Sequence, residues 1–170
     1  MAIQYVLRKF MVYADGFGKM GEGENCKLPT MEVTTEDFRG GGMDTPARVD
    51  LGVAPLVLEF KLSSFDPQVY NLWGQYPGLE RLFTMRGSLA HNDGTPFAAV
   101  ASCQGNLHKS ESDDFTPNAK IMHTFTVNLN YYKLTIGDRP IYEIDVINGR
   151  RVVNGVDQLR NDHIALGMSI

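Results

Sequence analysis

Apolar and polar residues alternate most cleanly in "LVLEFKLSSF", where Leu56, Leu58, Phe60 and Leu62 fall on one face and Val57, Glu59 and Lys61 on the other. An extended chain sends successive side chains to opposite sides, so a period of two predicts a half-buried β-strand. "IMHTFTVNLNYYKLTI" repeats the pattern through Phe125, Val127, Leu129 and Tyr131. The apolar parity then shifts at Tyr131-Tyr132, and Tyr132, Leu134 and Ile136 carry it onward. A parity shift inside a strand points to a bulge, which twists the strand and turns it towards a new sheet face. "GDRP" predicts a reversal. "IYEIDVI" then returns with Tyr142, Ile144 and Val146 on one side and Glu143 and Asp145 on the other.

The other segments are shorter or more mixed. "FMVYADG" reads as a short strand entering a turn, and "CKLPTMEVTTEDF" as an extended stretch with Leu28, Met31 and Val33 among polar residues. "RLFTMRGSLA" and "PFAAVASCQG" flank "HNDGTP", whose Asp93-Gly94 signals a hairpin turn. A polar connection, "HKSESDDFTPNAK", follows. One helix is predicted in "SFDPQVYNLWGQYPG": Asp66 caps it, Pro67 takes the first helical position and Gly74 ends the turn. Val69, Leu72 and Trp73 stand at i, i+3 and i+4, a stripe that places all three, Trp73 included, against a sheet. Arg39 to Gly52 combines a run of three glycines with a proline and few core residues. That composition predicts a long loop or protruding arm, and long ordered loops in compact domains are more often functional than accidental.

About six strands with one helix indicate a mainly β fold, a β-barrel-like sandwich with one short α-helix and a long protruding loop or hairpin. The 170 residues suit one domain, 1–170, with no internal repeat, low-complexity tract or linker. A net charge of −4 argues against a role resting on broad attraction to phosphates, though not against DNA that the protein merely surrounds. Cys26 and Cys103 are too few and too far apart for a disulfide framework or a zinc site, and read as two reduced thiols. Arg8 and Lys9 interrupt the N-terminal apolar residues, and no run approaches the roughly 18 that a membrane span needs. A soluble chain made in the cytoplasm is expected, with no membrane binding.

Candidate chemistry is sparse. Gly16-x-Gly18-x-x-Gly21 has the spacing of a dinucleotide-binding turn or of a kinase glycine loop. The first requires a helix directly after the glycines, and "GEGENCKLP" follows instead; the second requires a catalytic loop and an Asp-Phe-Gly that the chain lacks. Gly16, Gly18, Gly21 and Gly23 are therefore expected to shape a surface loop that needs positive φ. His91, His108, His123 and His163 show no metal-ligand spacing, and no Gly-x-Ser-x-Gly elbow occurs. Asp113-Asp114 reads as a solvated turn. Glu143 and Asp145, on one strand face, read as a solvated face, a charged subunit contact or an acid/base pair. No enzyme and no cofactor are expected. Patterned strands and a protruding arm suit self-assembly.

Two stretches carry a resemblance. "CKLPTMEVTTEDFRGGGMDTPARVDLGV", with the strand and tryptophan helix after it, resembles the N-terminal half of the major tail tube proteins of contractile-tailed phages, to which R-type bacteriocin tubes are related. "YYKLTIGDRPIYEIDVINGRRVVNGVDQLRN" is similar to the C-terminal half of the same family. The most specific pieces are Arg39-Gly-Gly-Gly-Met43 with Asp50 and Gly52, and Glu143-Ile-Asp-x-Ile-Asn148 with Asn154-Gly-Val-Asp157. The resemblance implies hexameric rings stacked into a hollow tube inside a contractile sheath, a virion component made and assembled in the bacterial host cytoplasm. The implied partners are other copies of the chain, the tail sheath protein, a tube initiator at the baseplate and terminator proteins. Double-stranded DNA would pass through the lumen without specific binding. A bacteriocin or type VI-like tube is the alternative, and a small ligand-binding β-barrel a more distant one.

In such a tube the arm becomes the candidate contact between rings, with Met43, Val49 and Leu51 as apolar anchors and Arg39, Asp44, Arg48 and Asp50 as charged partners. An arm folded over its own protomer is the competing arrangement. An acidic lumen would let DNA pass without sticking, and Asp113, Asp114, Glu143 and Asp145 are the candidates to line it.

Overall fold

The strand with the parity shift organises the molecule. A computed structural model describes residues 5–91 and 94–168. In it His123–Ile136 is one strand, β9, paired along its length with β8 (Pro96–Ser112). Its first half also pairs with β6 (Leu56–Leu62), and its second half with β10 (Arg139–Asp145). The change of partner coincides with a bulge: Tyr131 pairs with Gln104 and Leu129 with Gly105, leaving Asn130 as the extra residue. The buried side passes there from Leu129 to Tyr132. A Cβ on Gly105 would lie 2.0 Å from the Asn128 carbonyl oxygen, so the bulge closes only over glycine.

Around β9 the described residues form twelve strands and two helices. The remaining elements are β1 (Val6–Ala14), β2 (Phe17–Gly18), β3 (Gly23–Lys27), β4 (Val33–Phe38), β5 (Ala47–Val53), α1 (Pro67–Tyr70), β7 (Arg81–Ala90), β11 (Arg150–Val153), β12 (Val156–Asp157) and α2 (Arg160–Ala165). One path of the main sheet runs β12-β11-β10-β9-β8-β7-β1-β2, and β3 and β6 branch from the first half of β9. The curled sheet encloses a core in which Phe60 and Phe125 stack at 5.3 Å between centroids and Phe83 lies 6.0 Å from Phe60. Leu56, Leu58, Phe60 and Leu62 are all buried, as their alternation predicts. The hairpin between β9 and β10 turns on Gly137, at φ +60°. That between β7 and β8 closes at Ala90 and Pro96, and Asp93 of its expected turn lies outside the described residues.

Three elements differ from expectation. The helix at Pro67 is capped by Asp66, which accepts from the Gln68 N–H at 2.9 Å, but it lasts one turn. Val69 and Leu72 are buried; Trp73, beyond the helix, is 57% exposed and donates from Nε1 to the His108 carbonyl at 3.1 Å. The i, i+4 stripe fails because the helix ends before residue 73. A second helix, α2, lacks a side-chain cap and buries none of its residues, so neither capping nor periodicity marks it. Part of the polar "HKSESDDFTPNAK" segment continues β8 to Ser112, held there by pairing with β9 rather than by its own pattern.

Candidate assembly surfaces

The segment from Val33 to Val53 stands apart from the main sheet as a two-stranded hairpin, β4–β5, with residues 39–46 at its tip. Its register runs from Val33↔Val53 to Phe38↔Ala47, with Leu51 bulged out and Gly52 at φ +113° donating to Asp50 Oδ1 at 2.7 Å. Directly paired residues share a face. One face therefore carries Asp37 and Arg48, an ion pair at 3.2 Å, and the other Glu36, Phe38, Ala47 and Val49. Neither face is covered: Phe38 is 62% and Leu51 60% exposed. An isolated two-stranded hairpin is marginal in water, and clustered exposed apolar residues mark a contact surface.

Among the described residues the arm meets its own protomer near its base. The Ala54 N–H donates to the Glu32 carbonyl at 2.9 Å, closing the hairpin, and Arg151 Nη2 of the main sheet reaches Asp50 Oδ2 at 3.4 Å. A cleft of about 360 Å³ lined by Met31, Val53, Tyr142 and Val153 separates the base from β10–β11. Of the candidate contact residues, Val49 and Leu51 are exposed on the arm, and Arg39 and Asp44 are exposed at its tip. Met43 turns inward, its Sδ accepting from the Gly40 N–H at 3.2 Å, while Arg48 and Asp50 are engaged within the chain. Phe38 escaped the sequence reading, although a lone aromatic in an otherwise polar strand is a usable signal.

The four candidate lumen carboxylates do not converge. Asp113 and Asp114 are exposed in the loop after β8, beside the start of β9, whereas Asp145 pairs with Tyr131 eight residues further along that strand. At about 3.3 Å per residue the separation is roughly 26 Å. Glu143 lies between two cations, Lys133 Nζ at 3.3 Å and Arg150 Nη1 at 3.6 Å. Asp145 accepts from the Asn148 N–H at 3.0 Å and from its Nδ2 at 2.6 Å. Burial acts to raise the Asp145 pKa, but the hydrogen bonds from Asn148 and Ile147, with Arg150 nearby, hold it below its ordinary value. Proton donation at neutral pH needs the opposite shift.

Two buried polar clusters were not legible in the sequence. Lys19, 5% exposed, ion-pairs with Asp66 and donates from Nζ to Gln68 Oε1 at 2.8 Å, clamping the glycine loop to α1. His123 is fully buried; Tyr70 OH at 2.7 Å and Ser112 Oγ at 2.8 Å both meet its Nδ1, and the Phe65 ring lies 4.2 Å away. Burial lowers the His123 pKa, with Asp113 opposing the shift.

In the glycine motif only Gly16 and Gly21 have positive φ; Gly18 and Gly23 belong to β2 and β3, which corrects the expectation for those two. A Cβ on Gly18 would lie 3.0 Å from Tyr13 Cε1, so packing rather than φ favours glycine there. The loop leads into strand β3, with none of the helix that a dinucleotide turn requires. Both thiols are free, and burial pushes Cys26 up to about 11 and Cys103 up to about 12. Among the described residues no group of three or more His, Cys, Asp or Glu could hold a metal, and no helix is long and apolar enough to cross a membrane.

Residues 4–167 match the family described as phage tail tube protein FII. The tail tube protein of Escherichia phage P2 is 28% identical over 174 residues, covering 99% of this chain and all of that protein. The major tail tube protein of Serratia phage KSP20 is 28% identical over 149 residues, 87% of this chain and 86% of that one. Among solved structures, a chain of the PVC extracellular contractile injection system, in its extended sheath–tube complex, superposes with a TM-score of 0.58. It is 11% identical, over 75% of this chain and 88% of that one. A chain of the anti-feeding prophage baseplate gives 0.52 at 14% identity, over 81% and 99%. At these identities the likeness of structure is one of fold.

Proposed function

This chain belongs to the phage tail tube protein FII family, and from that premise we propose that it polymerises as stacked hexameric rings into the inner tube of a contractile phage tail. Its family is a structural one, and phage tail tube proteins are virion components. In our reading, residues 1–170 form one tube domain, assembled in the host cytoplasm within a sheath. A baseplate initiator starts the tube and a terminator ends it, and duplex DNA passes through the lumen without specific binding.

The observation that carries the ring-and-stack reading is the uncovered arm on a domain whose match to the family spans nearly the whole chain. A protein that functioned alone would expose Phe38, Val49 and Leu51 to no purpose. A heterologous contact that closes by rotation makes a ring, and a second, axial contact stacks rings. Phage relatives matched over 99% and 87% of the chain favour the phage tail over a bacteriocin or type VI-like tube. A small ligand-binding barrel fits poorly, because Phe60, Phe83, Phe125 and Tyr132 fill the interior.

Electron microscopy of the purified protein at rising concentration tests this reading. Rings and hollow tubes are expected; monomers at every concentration, with initiating partners added, would refute it.

A further inference from the structure

The seam between β1 and β3 is open. Among the described residues β1 pairs with β7 along its length but with β2 only at Tyr13 and Ala14, and the Val12 carbonyl accepts from the Lys19 N–H. From Val6 to Met11 no described strand hydrogen-bonds to its other edge, although β3 approaches it where Gly23 faces the Phe10 ring. Such an edge is a template for an added strand. A groove of about 760 Å³ lies over the sheet face across β1, β7 and β8, with Phe10, Met11 and Phe97 among its apolar lining and Arg8, Lys9 and Arg86 supplying charge; no carboxylate lines it. Met20, also on the groove, is 81% exposed.

An occupant of this groove must be extended, must have a spare edge, and must be both acidic and apolar. The arm meets each condition. Strand β4 pairs only with β5, so its outer edge is open. Residues 32–53 carry Glu32, Glu36, Asp37, Asp44 and Asp50 against Arg39 and Arg48 alone, and Phe38 projects uncovered from β4. Within one chain the arm's base is tied to β11 through Asp50 and Arg151, and among the described residues no strand pairing joins the arm to β1. A second copy is the occupant that this arrangement and the charge match favour.

We propose that β4 of a neighbouring copy's arm adds to the open edge of β1, with Phe38 in the groove and Glu36 against the Arg8, Lys9 and Arg86 cluster. Backbone pairing supplies the adhesion, and the pocketed phenylalanine with the charge match supplies the register. The inference rests on the tube reading above and assigns the landing site of the stacking arm.

Full-length protein carrying Glu36→Cys and Lys9→Cys together, assembled and mildly oxidised, should give a ladder of covalent multimers on a non-reducing gel, and neither single variant should. The native thiols, Cys103 buried and Cys26 half-buried, both with raised pKa values, stay out of the reaction. Glu36→Lys and Lys9→Glu should each reduce sedimentable tube roughly tenfold, and combining them should restore it to within about twofold. All these side chains are exposed, so folding is untouched. Tubes that form without a ladder and ignore both charge changes would overturn the landing site and leave the tube reading intact. Cross-linking of Lys9→Cys to Val156→Cys would give the groove to the far sheet end of a neighbour, and also overturn it. If the unmodified chain never forms rings or tubes, the tube reading fails and this inference falls with it.

Discussion

At Gly105 a missing side chain decides whether the bulge can close. A Cβ there would sit 2.0 Å from the Asn128 oxygen, a backbone atom that cannot rotate away. Gly105→Ala should therefore cost at least about 3 kcal/mol in urea unfolding. Gly18→Ala, whose nearest neighbour is the edge of the Tyr13 ring, should cost less than about 1 kcal/mol, because a side chain can yield. Equal costs would mean that the bulge relaxes. His123 poses a different problem, since its environment disfavours the imidazolium. With a native pKa below the ordinary 6.5, the unfolded chain takes up a proton first as pH falls. The neutral histidine's contribution is thus complete above about pH 7 and is lost as the pH drops through 6.5 towards the native value. The melting temperature should fall across that window in the parent and stay flatter in His123→Gln. Asp145, whose pKa is lowered from 3.8, acts only in a more acidic range, so the two effects separate.

At the scale of elements, legibility follows from where each signal lives. Strands β6 and β9 were readable because one face of each meets the core, and even the bulge was visible, as the switch from Leu129 to Tyr132. The start of α1 was readable from Asp66-Pro67, but its length was not: after Asn71 the backbone bonds tighten, Leu72 donating to Val69 and Trp73 to Tyr70, and Trp73 falls outside the helix. The Lys19–Asp66 clamp joins residues 47 positions apart, and no local pattern reports a buried ion pair of that kind. Asp66→Ala removes the cap and strands the ammonium group, and should cost about 3–5 kcal/mol. The protruding arm was legible from its glycines, whereas its hairpin register and the role of Phe38 depend on pairing between strands. The arm also makes a clean prediction. Neither of its strands contains a buried residue, so excising Arg39 to Gly52 and bridging the gap should move the melting temperature by less than about 4 °C, the shift that 1 kcal/mol gives a domain of this size. Stacking should be abolished while single rings persist in micrographs. Collapse of the rings as well would show that the arm serves the ring contact.

Across the whole molecule, the proposed conduit for duplex DNA would make opposite electrostatic demands: copies must attract one another at chosen places, yet the conduit must not hold a polyanion. The distribution of charge is compatible with both. Glu143 is flanked by Lys133 and Arg150, Lys109 pairs with Glu111, and Lys120 with Glu24, so these cations are locally offset. The net charge is −4. Arg8, Lys9 and Arg86 form a cationic groove with no acid among its lining, and an arm carrying more carboxylates than arginines would cover it in a tube. Release of counterions from duplex DNA requires several accessible cations in a row, and the proposed docking of the arm would remove this group. Monomers should therefore retain short duplex DNA weakly at low salt, with binding gone at about 0.2 M salt. Assembled tubes, compared by filter retention at equal subunit concentration, should retain less than monomers at low salt. Greater retention by tubes would place a cationic surface in the lumen and rule out a conduit that merely surrounds its cargo.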